Sequence, residues 1–173
     1  LLGAVLVCGI VTNPFEHMFY SSRMNTVYQA AQTLYEISPT LMNMLWSKAT
    51  EKNALNYFIT SRLGFNASKA EKHDVLLYME GVNQTPFSTF QSLMKDYTSF
   101  DGRKLLSNVQ CPALVIAGEE DYITPITLQE EMAALLPNGE LVTIPDGSHN
   151  AHMDFPERVN WTIDEFLKRV NYT

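Results

Sequence analysis

Basic residues, cysteines and long apolar runs are all scarce in this chain of 173 residues. Twelve Lys and Arg stand against nineteen Asp and Glu, for a formal net charge of −7. Nucleic acids and anionic membranes bind basic surfaces, so both are disfavoured as partners. No apolar stretch reaches the roughly eighteen residues of a membrane span. The two cysteines, Cys8 and Cys111, lack the spacing of a metal site, and we expect both to be buried and unbridged.

Unbridged cysteines favour a reducing compartment, so the sequence predicts a cytoplasmic protein. Residues 1–11 are apolar, but they lack the basic flank and the cleavage site of a signal peptide. Secretion stays open as an alternative because four Asn residues stand in Asn-x-Ser/Thr triplets, namely Asn66, Asn83, Asn160 and Asn171. Since 46% of the residues are apolar and 18% are charged, we expect a packed domain rather than disorder.

Residues 111–152 carry the most regular pattern in the chain. The apolar run 113–117 predicts a strand that is buried on both faces. A helix is predicted over about 124–136, with Thr124 as its N-cap, and a second strand over 140–144. This order predicts a βαβ unit whose two strands are parallel and adjacent.

Asp121 follows the first of these strands and His149 follows the second. In open parallel sheets, ligands and reactive groups collect beyond the carboxyl ends of the strands, so we expect the two side chains to meet there. A carboxylate that accepts the Nδ1–H of an imidazole fixes its tautomer and leaves Nε2 as a general base. The alternative is that Asp121 caps a turn and that His149 is an ordinary loop histidine. A metal site built from Glu119, Glu120 and Asp121 is disfavoured because adjacent side chains diverge.

Two segments together resemble the C-terminal half of the α/β-hydrolase fold superfamily. They read CPALVIAGEEDYITP from residue 111 and IPDGSHNAHMDFPERVN from residue 144. The resemblance implies that Asp121, in a Gly-x-x-Asp turn, is the acid of a catalytic triad and that His149, in a Gly-x-His loop, is its histidine. It also implies an α/β fold with about three parallel strands in this part of the chain, and neither cofactor nor metal.

The chain departs from that family in one respect: it contains no Gly-x-Ser-x-Gly motif. The family places its nucleophile before the acid, and residues 1–11 resemble the strand that follows the nucleophile's helix. We therefore expect the chain to be a fragment, with the nucleophile in a missing N-terminal half that packs against it. Some members carry the triad acid after this first strand, which makes Glu16 a reserve candidate. His17, in the same loop, is expected near the mouth of the active site.

The spacing of apolar residues becomes helical between Phe19 and about Phe100. A helical block of this length is too long for an ordinary crossover, so it predicts a cap over the strand ends. The expected organisation is a core strand and exit loop over 1–15, a helical cap over 16–100 and the C-terminal part of the core over 101–173. Cap residues near Met18, Phe19 and Trp46 are candidates for contacting a substrate, and the alternative is that they form the cap's own core.

The resemblance implies a hydrolase of the esterase or serine hydrolase type that acts on a small apolar ester. Other activities on this scaffold are alternatives, namely C–C, epoxide and haloalkane hydrolysis or a lyase reaction of the menaquinone pathway. A non-catalytic binding protein is the alternative from another class. The presence of both Asp121 and His149 argues against it, because a protein without catalysis needs neither.

Overall fold

The structure, a computed structural model, describes residues 1–172. In this part of the chain, strands β1 (Ala4–Val7), β2 (Ala113–Gly118) and β3 (Gly139–Ile144) form one parallel sheet in the order β1-β2-β3. The predicted α/β class with a three-stranded parallel sheet is confirmed. β1 occupies only part of the apolar run 1–11, whereas β2 and β3 match their predicted bounds to within one residue.

Helices fill the long connection between β1 and β2, after two 3-10 turns at Pro14–Glu16 and Met18–Tyr20. These helices are α1 (Arg23–Ile37), α2 (Pro39–Thr50), α3 (Ala54–Leu63), α4 (Lys72–Gln84) and α5 (Phe87–Ser99). The remaining helices are α6 (Arg103–Leu106), α7 (Ile126–Leu135), α8 (Ala151–Asp154) and α9 (Pro156–Arg169). Below, α1–α5 with their connecting loops are called the helical insert. None of the helices described over 1–172 is long and apolar enough to cross a membrane.

β2 is the centre of the core because its side chains alternate between two apolar layers. Leu114 and Ile116 pack with Val159 and Phe166 of α9 on one face. On the other face, Ala113 and Val115 pack with Leu106 of α6, Met132 of α7 and Leu136 directly after α7. Both faces of the strand are therefore covered, which explains why it is a continuous apolar run rather than an alternating one.

The helical insert has apolar contacts of its own. Phe65, Val75 and Met79 form a small buried cluster. The Trp46 ring stacks on Phe90 with 4.9 Å between centroids, and the indole Nε1 donates to the Thr85 carbonyl at 2.9 Å. Many large apolar side chains of the insert are exposed nonetheless, including Leu55, Phe58, Leu77 and Leu93. The division of the chain into cap and core stays a prediction.

Candidate active site

The loops that leave the three strands meet at the carboxyl edge of the sheet. The end of β2 packs directly on the loop that carries His149, and Gly118 makes this approach possible. A Cβ at Gly118 would lie 2.5 Å from the Gly147 carbonyl oxygen and closer still to that of Ser148. Only a residue without a side chain fits there. The glycine thus brings together the loop 119–125 that carries Asp121, called the acid loop below, and the loop 145–150 that carries His149, called the histidine loop.

Asp121 is fully buried and its carboxylate is held by several hydrogen bonds. Oδ1 accepts from the backbone N–H groups of Ile123 at 2.9 Å and Thr124 at 2.8 Å. Oδ2 lies 2.6 Å from Thr124 Oγ1 and 3.1 Å from His149 Nδ1. These donors replace the water that burial removes, and they satisfy an ionised carboxylate.

The sequence placed Thr124 at the N-cap of α7, and this prediction is wrong. The helix begins at Ile126, and no side chain caps it. The Thr124 hydroxyl lies instead 2.6 Å from Asp121 Oδ2, 2.8 Å from the Cys8 carbonyl oxygen and 3.1 Å from His149 Nδ1. Thr124 therefore ties the acid loop to the end of β1 and to the imidazole. Since Cys8 lies 116 positions away in the chain, no local pattern could have revealed this contact.

The protonation of His149 follows from its partner. An ionised carboxylate can only accept hydrogen bonds, so the Nδ1 atom that faces Asp121 Oδ2 carries the hydrogen. In the neutral ring, Nε2 then has a free lone pair. Within residues 1–172 no group hydrogen-bonds Nε2, and the side chain is 27% exposed. The arrangement is that of a general base whose orientation is fixed by a carboxylate.

Cys8 and Ser148 have nucleophilic side chains close to Asp121 and His149, but neither side chain is activated to attack a substrate. Burial, and then the negative charge of Asp121, raise the pKa of the Cys8 thiol to about 11, so it stays protonated at neutral pH. Ser148 Oγ donates to the Gly64 carbonyl at 2.9 Å and accepts from the Asn150 N–H at 3.0 Å. Both side chains shape the loops around the pair.

Gln129 is a buried neighbour of the acid that sequence reasoning missed. Its Nε2 donates to the Thr124 carbonyl at 2.8 Å and lies 3.5 Å from Asp121 Oδ2. Its Oε1 has no partner among the residues that the structure describes. The side chain therefore supports the acid loop from α7.

The first loop after β1 contributes less than its sequence suggested. Glu16, the reserve acid, is exposed at the end of the first 3-10 turn. Met18 and Phe19 are half-buried in the second turn, and the Phe19 N–H donates to the Tyr122 carbonyl at 2.6 Å. This turn therefore rests on the acid loop. The substrate contacts predicted for Met18, Phe19 and Trp46 stay predictions.

His152 stands three residues after His149, and an apolar cavity reaches the acid loop at Ile123. Partial burial of its ring and then the charge of His149 lower the pKa of His152, although much of the side chain is reached by solvent. The cavity, of about 230 Å³, lies between Ile123 in the acid loop and helices α2, α3 and α4 of the insert. Ile59, Leu63 and Met79 are among its lining residues, and the sequence did not single out any of them as a substrate contact.

Comparison with known proteins identifies the family. A model of the alpha/beta hydrolase fold family matches residues 2–156. The chain therefore belongs to the α/β-hydrolase fold family.

Particular relatives and solved structures cover the chain to different extents. Human serine hydrolase BPHL is 35% identical over 66 residues, which are 38% of this chain and 23% of that protein. A thermophilic esterase from Thermogutta terrifontis, solved with malate bound, superposes with a TM-score of 0.69 at 20% identity over 98% of this chain and 57% of its own. MenH from S. aureus superposes with a TM-score of 0.67 at 16% identity over 99% of this chain and 60% of its own. The chain thus spans less than two thirds of the length of these proteins.

Proposed function

We propose that the chain carries the acid, the base and the cap of a carboxylic-ester hydrolase. His149 is the general base, Asp121 orients it, and the nucleophile comes from a segment that precedes Leu1. The observation that supports this most is the 3.1 Å contact between His149 Nδ1 and the fully buried Asp121 carboxylate. A buried carboxylate beside an imidazole with a free Nε2 has a direct use in acyl transfer.

In the proposed reaction, Nε2 of His149 takes the proton of a serine hydroxyl as the hydroxyl oxygen attacks the ester carbonyl carbon. The imidazolium that forms is stabilised by the Asp121 carboxylate. Nε2 then gives its proton to the departing alkoxide, which leaves as an alcohol and an acyl-enzyme remains. A water molecule, deprotonated by the same Nε2, attacks the acyl carbon. The bond from that carbon to the serine oxygen then breaks, the serine oxygen takes the proton back from Nε2, and the carboxylic acid is released. Each half-reaction returns His149 to its neutral form.

The apolar cavity beside Ile123 supports a substrate with a small or medium hydrocarbon group. The cavity is lined by Ile123, two residues from Asp121, and by Gly64, whose carbonyl accepts hydrogen bonds from Ser148 and Asn150 on either side of His149. At about 230 Å³ it is below the roughly 300–1,000 Å³ of typical ligand sites, which favours a short chain over a long one. We therefore expect a butyrate ester to be turned over faster than a palmitate ester.

The proposal is tested with a longer protein that also includes the residues encoded upstream of Leu1. The proposal expects a Gly-x-Ser-x-Gly motif in that segment and steady hydrolysis of a p-nitrophenyl butyrate ester. His149→Ala should lower kcat by about 10²–10⁴-fold, because general base catalysis is lost, while the circular dichroism spectrum is unchanged. His73→Ala, at an exposed position in the first turn of α4, is the matched control and should retain activity within about threefold. A His149→Ala protein as active as the parent would remove this residue from the mechanism.

A further inference from the structure

The insert and the histidine loop are joined by hydrogen bonds at one place, the Gly64–Asn66 loop after α3. The Gly64 carbonyl accepts from Ser148 Oγ at 2.9 Å, from Asn150 Nδ2 at 2.8 Å and from the Asn150 N–H at 3.2 Å. Asn66 Nδ2 donates to the Asp146 carbonyl at 2.9 Å. These partners are at least 80 positions apart in the chain, so folding alone brings them together.

Asp154 occupies the centre of this junction. The residue is 5% exposed and is the last residue of the short helix α8. Its Oδ1 accepts from the Asn66 N–H and its Oδ2 from the Ser148 N–H, both at 2.9 Å. No cation pairs with the carboxylate within residues 1–172. Two backbone donors from two different loops therefore hold the buried carboxylate.

The contact with Ser148 bears directly on His149, which is the next residue. The imidazole reaches Asp121 only if the backbone of Ser148 and His149 keeps its place at the edge of the sheet. Asp154 holds that backbone through the Ser148 N–H, and it holds the insert loop with the same carboxylate. Without it, the buried Ser148 amide and the partly buried Asn66 amide would lose their partner, and the histidine loop would be free to shift.

We propose that Asp154 is the positioning residue of the histidine loop: through the Ser148 and Asn66 amides it locks the insert to the loop and keeps His149 Nδ1 on Asp121. Asp154 does not contact the reacting atoms and is not a catalytic residue. The assignment rests on the proposed function of His149, but the position of the imidazole can be measured without any turnover.

The first test compares Asp154→Asn with the parent chain. An Asn side chain presents an NH₂ group to one of the two backbone donors, so one of the two hydrogen bonds is lost at little change in volume. In the parent, the His149 Nδ1 proton is expected as a far-downfield resonance in proton spectra of the nitrogen-15-labelled chain. In Asp154→Asn its exchange with water should be at least about tenfold faster, because a buried hydrogen bond of this kind opposes opening of the loop.

The matched control is Asp164→Asn, which makes the same chemical change at an exposed position of α9 and should leave the exchange rate unchanged. Equal exchange rates in Asp154→Asn, Asp164→Asn and the parent would overturn the proposal. If Asp154→Asn does not fold, hydrogen exchange of the parent decides. The His149 Nδ1 proton and the Ser148 and Asn66 amides should open as one unit, with rates that respond together to added urea. Independent opening of His149 would refute the assignment.

In the longer protein, Asp154→Asn should lower kcat by at least about tenfold and change KM by a smaller factor, since the base is displaced whereas only Gly64 of the Gly64–Asn66 loop lines the binding cavity. Slow proton exchange in the parent and fast exchange in Asp154→Asn, together with an inactive longer protein, would keep the positioning role and remove the esterase proposal. Ester hydrolysis that is insensitive to Asp154→Asn would keep the esterase proposal and remove the positioning role of Asp154.

Discussion

Replacing Thr124 by Val tests how strongly the acid loop depends on one hydroxyl. The side chain is 5% exposed, and Val has nearly its shape. The change removes the donor to Asp121 Oδ2 at 2.6 Å and to the Cys8 carbonyl at 2.8 Å, and it puts a methyl group against the carboxylate. A hydrogen bond to a charged group contributes about 1.5–3 kcal/mol, and an unpaired buried acceptor costs about 1–3 kcal/mol.

Since one hydroxyl hydrogen serves only one of the two oxygens at a time, these contributions overlap. We expect Thr124→Val to lower the free energy of unfolding by about 3 kcal/mol, which for a chain of this length lowers Tm by roughly 6–12 °C. Urea unfolding followed by circular dichroism measures the change.

The control is Thr162→Val. Thr162 is also buried, but its Oγ1 donates to the Arg158 carbonyl one turn earlier in α9. That carbonyl keeps its helical hydrogen bond, so the loss should stay below about 1 kcal/mol. Equal destabilisation by the two substitutions would show that the hydroxyl of Thr124 has no special role at the acid loop.

Two further predictions concern backbone space and thiol chemistry. Gly118→Ala should lower the free energy of unfolding by several kcal/mol, since its Cβ would lie 2.5 Å from the Gly147 carbonyl oxygen. Gly81→Ala in α4 is the control, because a Cβ there meets nothing within 4 Å, and it should raise the free energy of unfolding by about 0.5–1 kcal/mol. Urea unfolding measures both changes. Iodoacetamide at about pH 8 should modify the half-buried Cys111 and leave Cys8 unmodified in the folded chain, as mass spectrometry of peptides would show. Because the folded-state pKa of Cys8 is raised from 9.0 to about 11, its contribution to stability is complete below pH 9 and is lost as the pH rises towards 11. Rapid labelling of Cys8, or stability that rises over this pH range, would contradict its burial beside Asp121.

The parts of the fold that could be predicted are those that local sequence encodes. The run 113–117 specifies a strand buried on both faces because every residue is apolar, and β2 is indeed central and fully buried. The βαβ order then places Asp121 and His149 at the same edge of the sheet without any knowledge of the rest. Pairing of these two residues therefore needed only topology.

The missed parts depend on contacts between distant segments. Thr124 followed by Pro125 is a normal helix start, yet the hydroxyl bonds to groups on two other loops. Asp154 stands two residues before a Pro-initiated helix, where a carboxylate commonly favours the helix start, but its carboxylate accepts from Asn66 and Ser148 instead. A short polar side chain has the same local signature in either role, and only the folded chain decides which donors reach it.

The hydrogen bonds around Asp121 also fix the length of the acidic side chain that can stand at this position. The carboxylate fits between two loop amides, a hydroxyl and an imidazole that are each anchored elsewhere. Glutamate would keep the charge, but its extra methylene would carry the oxygens past these groups. Asp121→Glu is usually regarded as conservative, but it is therefore disruptive here. At the carboxyl edge of this sheet the length of the side chain matters more than its charge, and an acid of another length requires a differently shaped loop.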